Sequence, residues 1–417
     1  MKNRNYVNRV IDDTLNEKLD TFGALLIEGP KWCGKTWTME HHSQSVTRLM
    51  DHSTKLLAEL DPATALLGEK PHGIDEWQVV MSVWDEVRNA VDQNPVRGQF
   101  LLTGSVTPSV KTVEHSGIGR ISRLRMRTLS LYESGISQGE ISLSSLLACD
   151  NITPAKTEKN IHDIILAACI GGWPISLSAN IRNPQELAYD YLDGLTVPEE
   201  NGNVSIRNIP QFKALLTSLA RNSASIVKSG TLHNDISKAT EDISGKTLSS
   251  YLQHLRNSFI LEEIPGWNPV IRSKARLLSS PKRFLTDPSL AVAALGAYPE
   301  MLINDLQAFG GIFEGLCLRD LLIYADANKS KVYHYRDNSD LEVDAIIEMR
   351  DGAWSGFEIK LGGSDIEKGT ESLIRLKKKI VRDGGKEPNS LCVITGTDIA
   401  YQQENGVYII PITMLKQ

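Results

Sequence analysis

The stretch Phe22-Gly-Ala-Leu-Leu-Ile-Glu-Gly-Pro-Lys-Trp-Cys-Gly-Lys-Thr36 decides the fold of the first part of this 417-residue chain. Its apolar half, Phe22 to Glu28, predicts a short buried strand closed by glycine. Gly29 to Thr36 then has the spacing G-x-x-x-x-G-K-[S/T], and Trp37 onward can continue as a helix. A strand, a glycine-rich loop and a helix in this order predict backbone amides that curl around phosphate oxygens at a helix N-terminus.

This loop predicts a nucleotide site, with ATP and Mg²⁺ as the expected ligands. Lys35 would neutralise the charge of the β- and γ-phosphates, and Thr36 would ligate Mg²⁺. The alternative is a glycine-rich turn with an exposed lysine. The residues expected to bind the nucleotide are Gly29, Pro30, Lys31, Trp32, Cys33, Gly34, Lys35, Thr36 and Trp37.

The acidic pair Asp75-Glu76 lies about 40 residues after the loop, at a plausible strand end. Asp75 could hold Mg²⁺ through water, and Glu76 could orient the attacking water as a base. Surface acids are the alternative. Another strand, Gln99 to Thr103, ends in small polar residues, so Thr103 or Ser105 could bond the γ-phosphate or the water, unless this is only a strand-to-turn transition.

Four arginines interleave with apolar residues at 120, 123, 125 and 127. One of them, with Arg120 as the candidate, could act as an arginine finger on the ATP of a neighbouring subunit, which would require a homo-oligomer. The alternation equally describes the exposed face of a strand.

Composition indicates a globular protein with 41% hydrophobic and 23% charged residues and a net charge of −6. The length favours two to four domains. Five scattered cysteines without a CxxC pair argue against disulfides or zinc and predict a reducing, cytoplasmic location. No apolar run approaches the length of a membrane span, so no membrane association is expected.

Strands alternating with helices predict an α/β domain over 1–200, built on a parallel sheet, with a mostly helical lid at Ser142 to Leu195. Three helical stretches follow in 201–280. The segments Phe259 to Ile264 and Ala275 to Leu278 could then pair as a wing, which together predicts a winged helix. Residues 281–417 read as a mixed α/β domain.

Ser205 to Leu285 carries 12 basic and five acidic residues, so its net charge is positive whereas the rest of the chain is acidic. This local positive charge predicts DNA binding. The alternative is a winged helix used only for packing or subunit contact. The residues expected to meet the major groove are Lys246, Thr247, Ser250, Gln253 and Arg256, and those expected to reach the DNA backbone are Arg272, Lys274 and Arg276.

Glu314, Asp344, Glu358 and Lys360 follow the order E…D…E-x-K, which resembles PD-(D/E)xK (restriction-endonuclease-like) nucleases. The three carboxylates are candidate metal ligands, and Asp344, Glu358 and Lys360 are candidate catalytic residues for metal-dependent phosphodiester cleavage. A degenerate copy of this fold that does not cut is the alternative.

The combination resembles AAA+-type P-loop ATPases of bacteria and archaea that carry a C-terminal domain of unknown function. The strings that carry the resemblance are GPKWCGKT, IDEWQVVMSVWDEVR, GQFLLTGS, GRISRLRMRTLSLYESG, GGWP, LTDPSLAVAALG, GGIFEGLCLRDL, YHYRDNSDLEVDAII and FEIKLGG. The resemblance implies that Lys35, Thr36, Asp75 and Glu76 are the nucleotide-site residues. The chain departs from that family at His72-Gly73, before the acidic pair, and at Thr128, where the family usually has proline.

Three functions remain open from the sequence. The first is an ATP-driven machine acting on DNA, with a C-terminal nuclease. The second is an ATP-driven switch or scaffold that remodels a protein partner and carries an inert nuclease-like domain. The third is a tight nucleotide binder with little turnover.

Overall fold

The computed structural model describes residues 6–105, 117–177, 183, 185–196, 206, 208–270, 273, 276 and 279–417. The first part folds into a five-stranded parallel sheet, which confirms the predicted α/β class. Its helices are α1 (Asp12–Leu19), α2 (Lys35–His42), α3 (His52–Leu60) and α4 (Ser82–Gln93). Its strands are β1 (Ala24–Glu28), β2 (Ser45–Arg48), β3 (His72–Asp75), β4 (Phe100–Gly104) and β5 (Ile121–Arg125).

The order of the sheet, β2-β3-β4-β1-β5, places β4 between the strand that enters the phosphate loop and the strand that carries the acidic pair. Successive side chains of β1 point to opposite faces. Ala24 and Leu26 therefore join the core on one side, and Leu25 and Ile27 join the core on the other. Burial on both faces explains why this strand reads as a continuous apolar run.

The middle of the chain is mostly helical. Its elements are β6 (Ile141–Ser142), α5 (Leu143–Leu147), β7 (Ala155–Lys156), α6 (Ile161–Ile170), α7 (Glu186–Gly194), α8 (Ile209–Arg221), α9 (Ser229–Ala239), α10 (Gly245–Asn257), β8 (Leu261–Ile264) and β9 (Lys282–Leu285). Leu248, Tyr251, Leu252 and Leu255 of α10 are buried on one stripe, as the helical spacing predicts.

The predicted second strand of the wing, Ala275 to Leu278, falls largely outside the described residues, so that pairing stays a prediction. Leu261–Ile264 pairs antiparallel with Lys282–Leu285, and Ala275, Leu277 and Leu278 lie outside the described residues. All four residues of β9 are buried, including the charged side chains of Lys282 and Arg283. The winged-helix assignment itself stays a prediction.

The C-terminal part is a seven-stranded mixed sheet in the order β10-β11-β12-β13-β15-β14-β7, covered by helices. Its strands are β10 (Lys331–Arg336), β11 (Glu342–Glu348), β12 (Trp354–Lys360), β13 (Leu391–Thr395), β14 (Ile399–Gln402), β15 (Tyr408–Pro411) and β16 (Leu415–Lys416). Its helices are α11 (Pro288–Leu295), α12 (Pro299–Asn304), α13 (Leu306–Ala327) and α14 (Asp365–Arg382).

Part of the segment predicted as a lid of the first domain belongs to the C-terminal sheets. β7 pairs with β14, and β6 pairs with β16. The domain boundaries at 200 and 280 stay predictions. In the described ranges, no helix has both the length and the apolar character needed to cross a membrane.

Candidate nucleotide site and C-terminal carboxylate cluster

The phosphate loop is shaped by two glycines. A Cβ on Gly29 would lie 2.1 Å from the Met126 carbonyl oxygen, so a larger residue cannot occupy this position without moving the backbone. Gly34 has φ +103°, a conformation that L side chains rarely adopt, and helix α2 begins at the next residue. The loop therefore ends at a helix N-terminus, where an anion is favoured.

Lys35 lies inside this loop rather than on the surface. Its side chain is 5% exposed, and Nζ donates to the carbonyl oxygens of Gly29 (3.0 Å) and Pro30 (2.8 Å). Trp32 lies on the outer side at 51% exposure and contacts Tyr191 edge to face, with ring centroids 5.3 Å apart. The ammonium is thus placed where it can exchange two carbonyl oxygens for phosphate oxygens.

Arg9 supports the loop from behind, and the sequence reading missed it. Its guanidinium donates to the carbonyl oxygens of Cys33 (2.9 Å) and Arg127 (2.9 Å), and its Nε donates to Glu133 (2.8 Å). Burial disfavours the charge of Arg9, but Glu133 outweighs this effect and raises the pKa of the guanidinium. A single arginine in a polar N-terminal segment carries no motif, so only the tertiary structure identifies this role.

The acidic pair meets the loop through hydroxyl groups. Thr36 Oγ1 donates to Asp75 Oδ1 (2.9 Å), and Thr103 Oγ1 donates to the same oxygen (2.6 Å). The Glu76 amide donates to Thr103 Oγ1 (3.0 Å). The structure therefore brings together the loop, the end of β3 and the end of β4, as the strand order requires.

Glu76 is held by two side chains. Ser105 Oγ donates to its Oε1 (2.9 Å), and Gln78 Nε2 donates to its Oε2. The backbone of Glu76 is left-handed, with φ +54°, which turns the chain sharply away from β3. Ser105 thus lies beside the acidic pair, and its contact with phosphate or water stays a prediction.

All four arginines of this stretch form ion pairs within the chain, and Arg123 pairs with Glu28 (3.1 Å). Arg120 is 48% exposed and pairs with Asp92 (2.8 Å) beside the start of β5, the sheet edge opposite the phosphate loop. Arg125 and Arg127 both contact Glu262, at 2.9 and 3.0 Å. Arg120 therefore does not reach the loop of its own chain, and its role on a neighbouring subunit stays a prediction.

A small gap of about 10 Å³ lies beside the first turn of α2. Tyr6, Gly34, Trp37, Thr38 and Pro174 line it. It is largely apolar and adjoins the phosphate loop. Trp37, expected among the nucleotide-binding residues, therefore lies at the side of the loop rather than within it.

Six of the nine described basic residues between 205 and 285 form ion pairs within the chain. Arg207, Arg272 and Lys274 lie outside the described residues. Among the described residues, Lys228, Lys238 and Lys246 form no ion pair. The intramolecular pairs are Lys213–Asp193, Arg221–Asp235, Arg256–Glu263, Arg276–Glu348, Lys282–Glu314 and Arg283–Glu263.

This pairing changes the predicted DNA contacts. Arg256 makes a bidentate contact with Glu263 (2.8 and 2.9 Å), and Arg276 is bound to Glu348 (2.6 Å), so neither guanidinium is free to meet phosphate. The exposed polar face of α10 retains Lys246, Ser250 and Gln253.

The C-terminal cluster does form. Asp344 accepts from Lys360 Nζ (3.0 Å), which also pairs with Glu358 (2.5 Å). Glu314 approaches from α13 and is joined to Asp344 by Lys282, whose Nζ lies 2.5 Å from Glu314 Oε1 and 3.0 Å from Asp344 Oδ1. The predicted four residues therefore meet, together with a lysine that the sequence reading had assigned to the basic segment.

The charges of this cluster are strongly coupled. Burial, and then the charge of Asp344, raises the pKa of Glu314 to about 8 and raises the pKa of Glu358. Burial also opposes ionisation of Asp344, but Lys282 and Lys360 outweigh it and hold the pKa of that carboxyl well below its usual range. Asp344 is thus the anionic centre of the cluster.

Comparison with known proteins divides the chain into three matched regions. Residues 21–135 match the family described as "AAA domain". Residues 161–300 match the family "Domain of unknown function (DUF8612)", and residues 309–415 match "Domain of unknown function (DUF4143)". The first match supports ATP binding and hydrolysis by the N-terminal part.

Two uncharacterized proteins, from Mycobacterium bovis and Mycobacterium tuberculosis, are each 23% identical over 351 residues, which cover 83% of this chain and 72% of each relative. Among solved structures, a Walker-type ATPase of Pyrococcus abyssi overlaps with a TM-score of 0.40 and 10% identity, over 68% of this chain and 94% of that chain. The RuvB Holliday junction branch migration motor of Thermotoga maritima overlaps with a TM-score of 0.29 and 17% identity. The overlap covers 69% of this chain and 94% of that chain.

Proposed function

We propose that this chain binds ATP with Mg²⁺ at Gly29 to Thr36 and hydrolyses it. One observation carries the proposal: the hydroxyls of Thr36 and Thr103 both donate to Asp75 Oδ1, and Glu76 follows directly. The match of residues 21–135 to an AAA domain supports it independently.

Each residue has a distinct role in this proposal. The loop amides and Lys35 bind the phosphates, and Lys35 exchanges its carbonyl partners for phosphate oxygens as the nucleotide enters. Thr36 and Asp75 supply the hydroxyl and carboxylate oxygens that Mg²⁺ accepts alongside phosphate and water. When bound, this ion would neutralise charge that develops on the phosphates.

Glu76 is the proposed base. Both of its carboxylate oxygens accept hydrogen bonds, so Ser105 and Gln78 fix its orientation. One of these two hydrogen bonds must break for the carboxylate to accept a hydrogen bond from the attacking water.

The test measures ATP turnover and binding of a fluorescent ATP analogue. Lys35→Ala should abolish binding, and Asp75→Asn should retain weak binding but lose turnover. The matched control is Asp13→Asn at an exposed position of α1, which should behave as the wild type. Turnover by Lys35→Ala at the wild-type rate would refute the proposal.

DNA is the proposed partner, because α10 presents Lys246, Ser250 and Gln253 on one exposed face and Lys238 of α9 is also unpaired. A protein partner is the second candidate, favoured by the six ion pairs that neutralise the rest of this basic region. The two predict different behaviour of the ATPase rate.

If DNA is the partner, duplex DNA should stimulate the ATPase, and stimulation should fall steeply as salt rises. Lys246→Ala should weaken stimulation, whereas Lys55→Ala on α3 should not. An ATPase rate indifferent to DNA at low salt favours the protein partner.

Arg120 can assist hydrolysis only across a subunit interface. Inactive Lys35→Ala chains mixed with Arg120→Ala chains would regain activity if Arg120 of the former completes a site on the latter. Unchanged activity of Arg120→Ala alone would remove it from the proposed mechanism.

A further inference from the structure

The nuclease-like order E…D…E-x-K implies a divalent cation among Glu314, Asp344 and Glu358, and the structure allows this implication to be tested. Within the part of the chain that the structure describes, no group of three or more His, Cys, Asp or Glu side chains is arranged to hold a metal ion. The carboxylates do converge, so the reason must lie in what stands between them.

Lys282 stands between them. Its Nζ lies 2.5 Å from Glu314 Oε1, 3.0 Å from Asp344 Oδ1 and 3.8 Å from Glu342 Oε1. One ammonium therefore bridges the carboxylate brought by helix α13 and the carboxylate brought by strand β11. A divalent cation shared by Glu314 and Asp344 would need the same oxygens at a shorter distance.

The second oxygen of Asp344 is also fully used. Oδ2 accepts from Lys360 Nζ (3.0 Å) and from the Ile359 amide (2.9 Å). Both oxygens of the central carboxylate thus already face positive charge or a backbone donor, and a divalent cation placed there would be repelled by two ammonium groups.

Lys282 cannot withdraw easily to make room. Its side chain is 1% exposed, so the ammonium has no nearby water to replace its partners. Its backbone is fixed in the hairpin by pairing with Ile264, and the hairpin is held to β5 through Glu262 and Arg125. Moving the ammonium would break the ion pair of Glu314 and one of the two ammonium contacts of Asp344.

We propose that this cluster is a metal-free ionic junction, in which the Lys282 ammonium takes the place of a divalent cation and ties the β8–β9 hairpin to α13 and β11. The C-terminal domain therefore does not cleave DNA by a metal-dependent reaction at Asp344. This inference is independent of ATP hydrolysis, which uses other residues.

The test uses the full chain carrying Asp75→Asn, which removes the carboxylate proposed to bind Mg²⁺ at the nucleotide site. Mn²⁺ binding is measured by electron paramagnetic resonance without nucleotide, in this protein and in the same protein with Asp344→Asn added. We expect no bound Mn²⁺ that depends on Asp344. A bound ion that disappears with Asp344→Asn would overturn the proposal.

Lys282→Met provides the complementary arm in the same Asp75→Asn background. Removing the ammonium should create an Mn²⁺ site at least tenfold tighter than anything in the parent, and Asp344→Asn should abolish it. A folded Lys282→Met protein that gains no site would show that Lys282 is not what excludes the ion, and would also overturn the proposal.

Lys282→Met could fail to fold because it leaves buried acids unpaired, so Lys282→Arg is the matched variant. It keeps the positive charge and should fold and bind no Mn²⁺. Supercoiled DNA incubated with Mg²⁺ and the Asp75→Asn protein should stay intact. Nicking that is lost with Asp344→Asn would contradict the inference even if every lysine variant were unstable.

Discussion

The phosphate-loop site and the C-terminal carboxylate cluster begin from similar ingredients and end in different chemistry. Both lie where side chains from neighbouring elements converge, and both combine acids with lysine. At the loop, Asp75 accepts from two neutral hydroxyls, and Lys35 is bound by backbone carbonyl oxygens rather than by acids. At the cluster, Asp344 is contacted by two ammonium groups.

This difference separates a site prepared for a ligand from one that is already satisfied. Neutral donors and carbonyls can be exchanged for phosphate, water and Mg²⁺ at low electrostatic cost. Buried ammonium–carboxylate pairs cannot, because removing one partner leaves an uncompensated buried charge. Acids in a recognised order therefore do not identify a metal site until their counter-charges are known.

The largest effect is expected for Glu76→Gln. The change keeps the shape of the side chain but removes its basicity, so ATP binding should remain while kcat falls by about 10²- to 10⁴-fold. Single-turnover ATP hydrolysis measures this directly, with Glu59→Gln on α3 as the control. An unchanged kcat would favour a nucleotide binder in which Glu76 has no catalytic role.

Lys282→Met should be the most damaging change in the cluster. Removing a buried ammonium from between two carboxylates should cost about 3–5 kcal/mol of unfolding free energy. Urea unfolding followed by circular dichroism measures the loss. Lys331→Met at an exposed position of β10 should change stability little, and equal stability of the two variants would contradict the ionic junction.

Thr103→Val should have an intermediate effect at the nucleotide site. The substitution removes the hydroxyl that contacts both Asp75 and the Glu76 amide. A hydrogen bond to a charged group contributes about 1.5–3 kcal/mol, so kcat/KM should fall about 10- to 100-fold. Thr217→Val on the exposed face of α8 is the control, and a loss equal to that control would remove Thr103 from the site.

The smallest effect concerns His334, which senses the charge of Lys282. Burial, and then repulsion by Lys282, lowers the pKa of His334 from 6.5 to about 4. Between these values the unfolded chain binds the proton that the folded chain does not, so stability should fall as pH drops from 6.5 to 4.

The slope from this one group can reach about 1.4 kcal/mol per pH unit. His334→Gln should remove that slope, whereas His162→Gln at an exposed position should retain it. Urea unfolding at several pH values provides the measurement. An unaltered slope in His334→Gln would show that another group is responsible.

Much of the first site was predictable because its signals are local. The spacing of Gly29, Gly34 and Lys35 specifies the loop, and apolar runs specify β1 and β4 beside it. Asp75 and Glu76 could be assigned because parallel strands carry their polar ends to one edge. Arg9 and Gln78 could not, since neither belongs to a recurring motif.

In the C-terminal cluster, the sequence predicted which acids meet but not which cations neutralise them. The order of Glu314, Asp344, Glu358 and Lys360 predicted that they meet, and they do. The same reading counted Lys282 with the DNA-binding charges, because its sequence neighbours are basic. Strand β8 likewise pairs with a segment that no local signal predicts as its partner, Lys282–Leu285.

The sequence by itself determined the local chemistry: a loop that can hold phosphate, a parallel sheet to position it, and a set of acids in a nuclease-like order. The tertiary structure decided which charges remain available. Arg125 meets Glu262 across 137 positions, and Lys282 meets Asp344 across 62. Such pairs depend on how separate elements pack. Hydrophobic periodicity and motif spacing relate residues only a few positions apart, so they cannot predict these pairs.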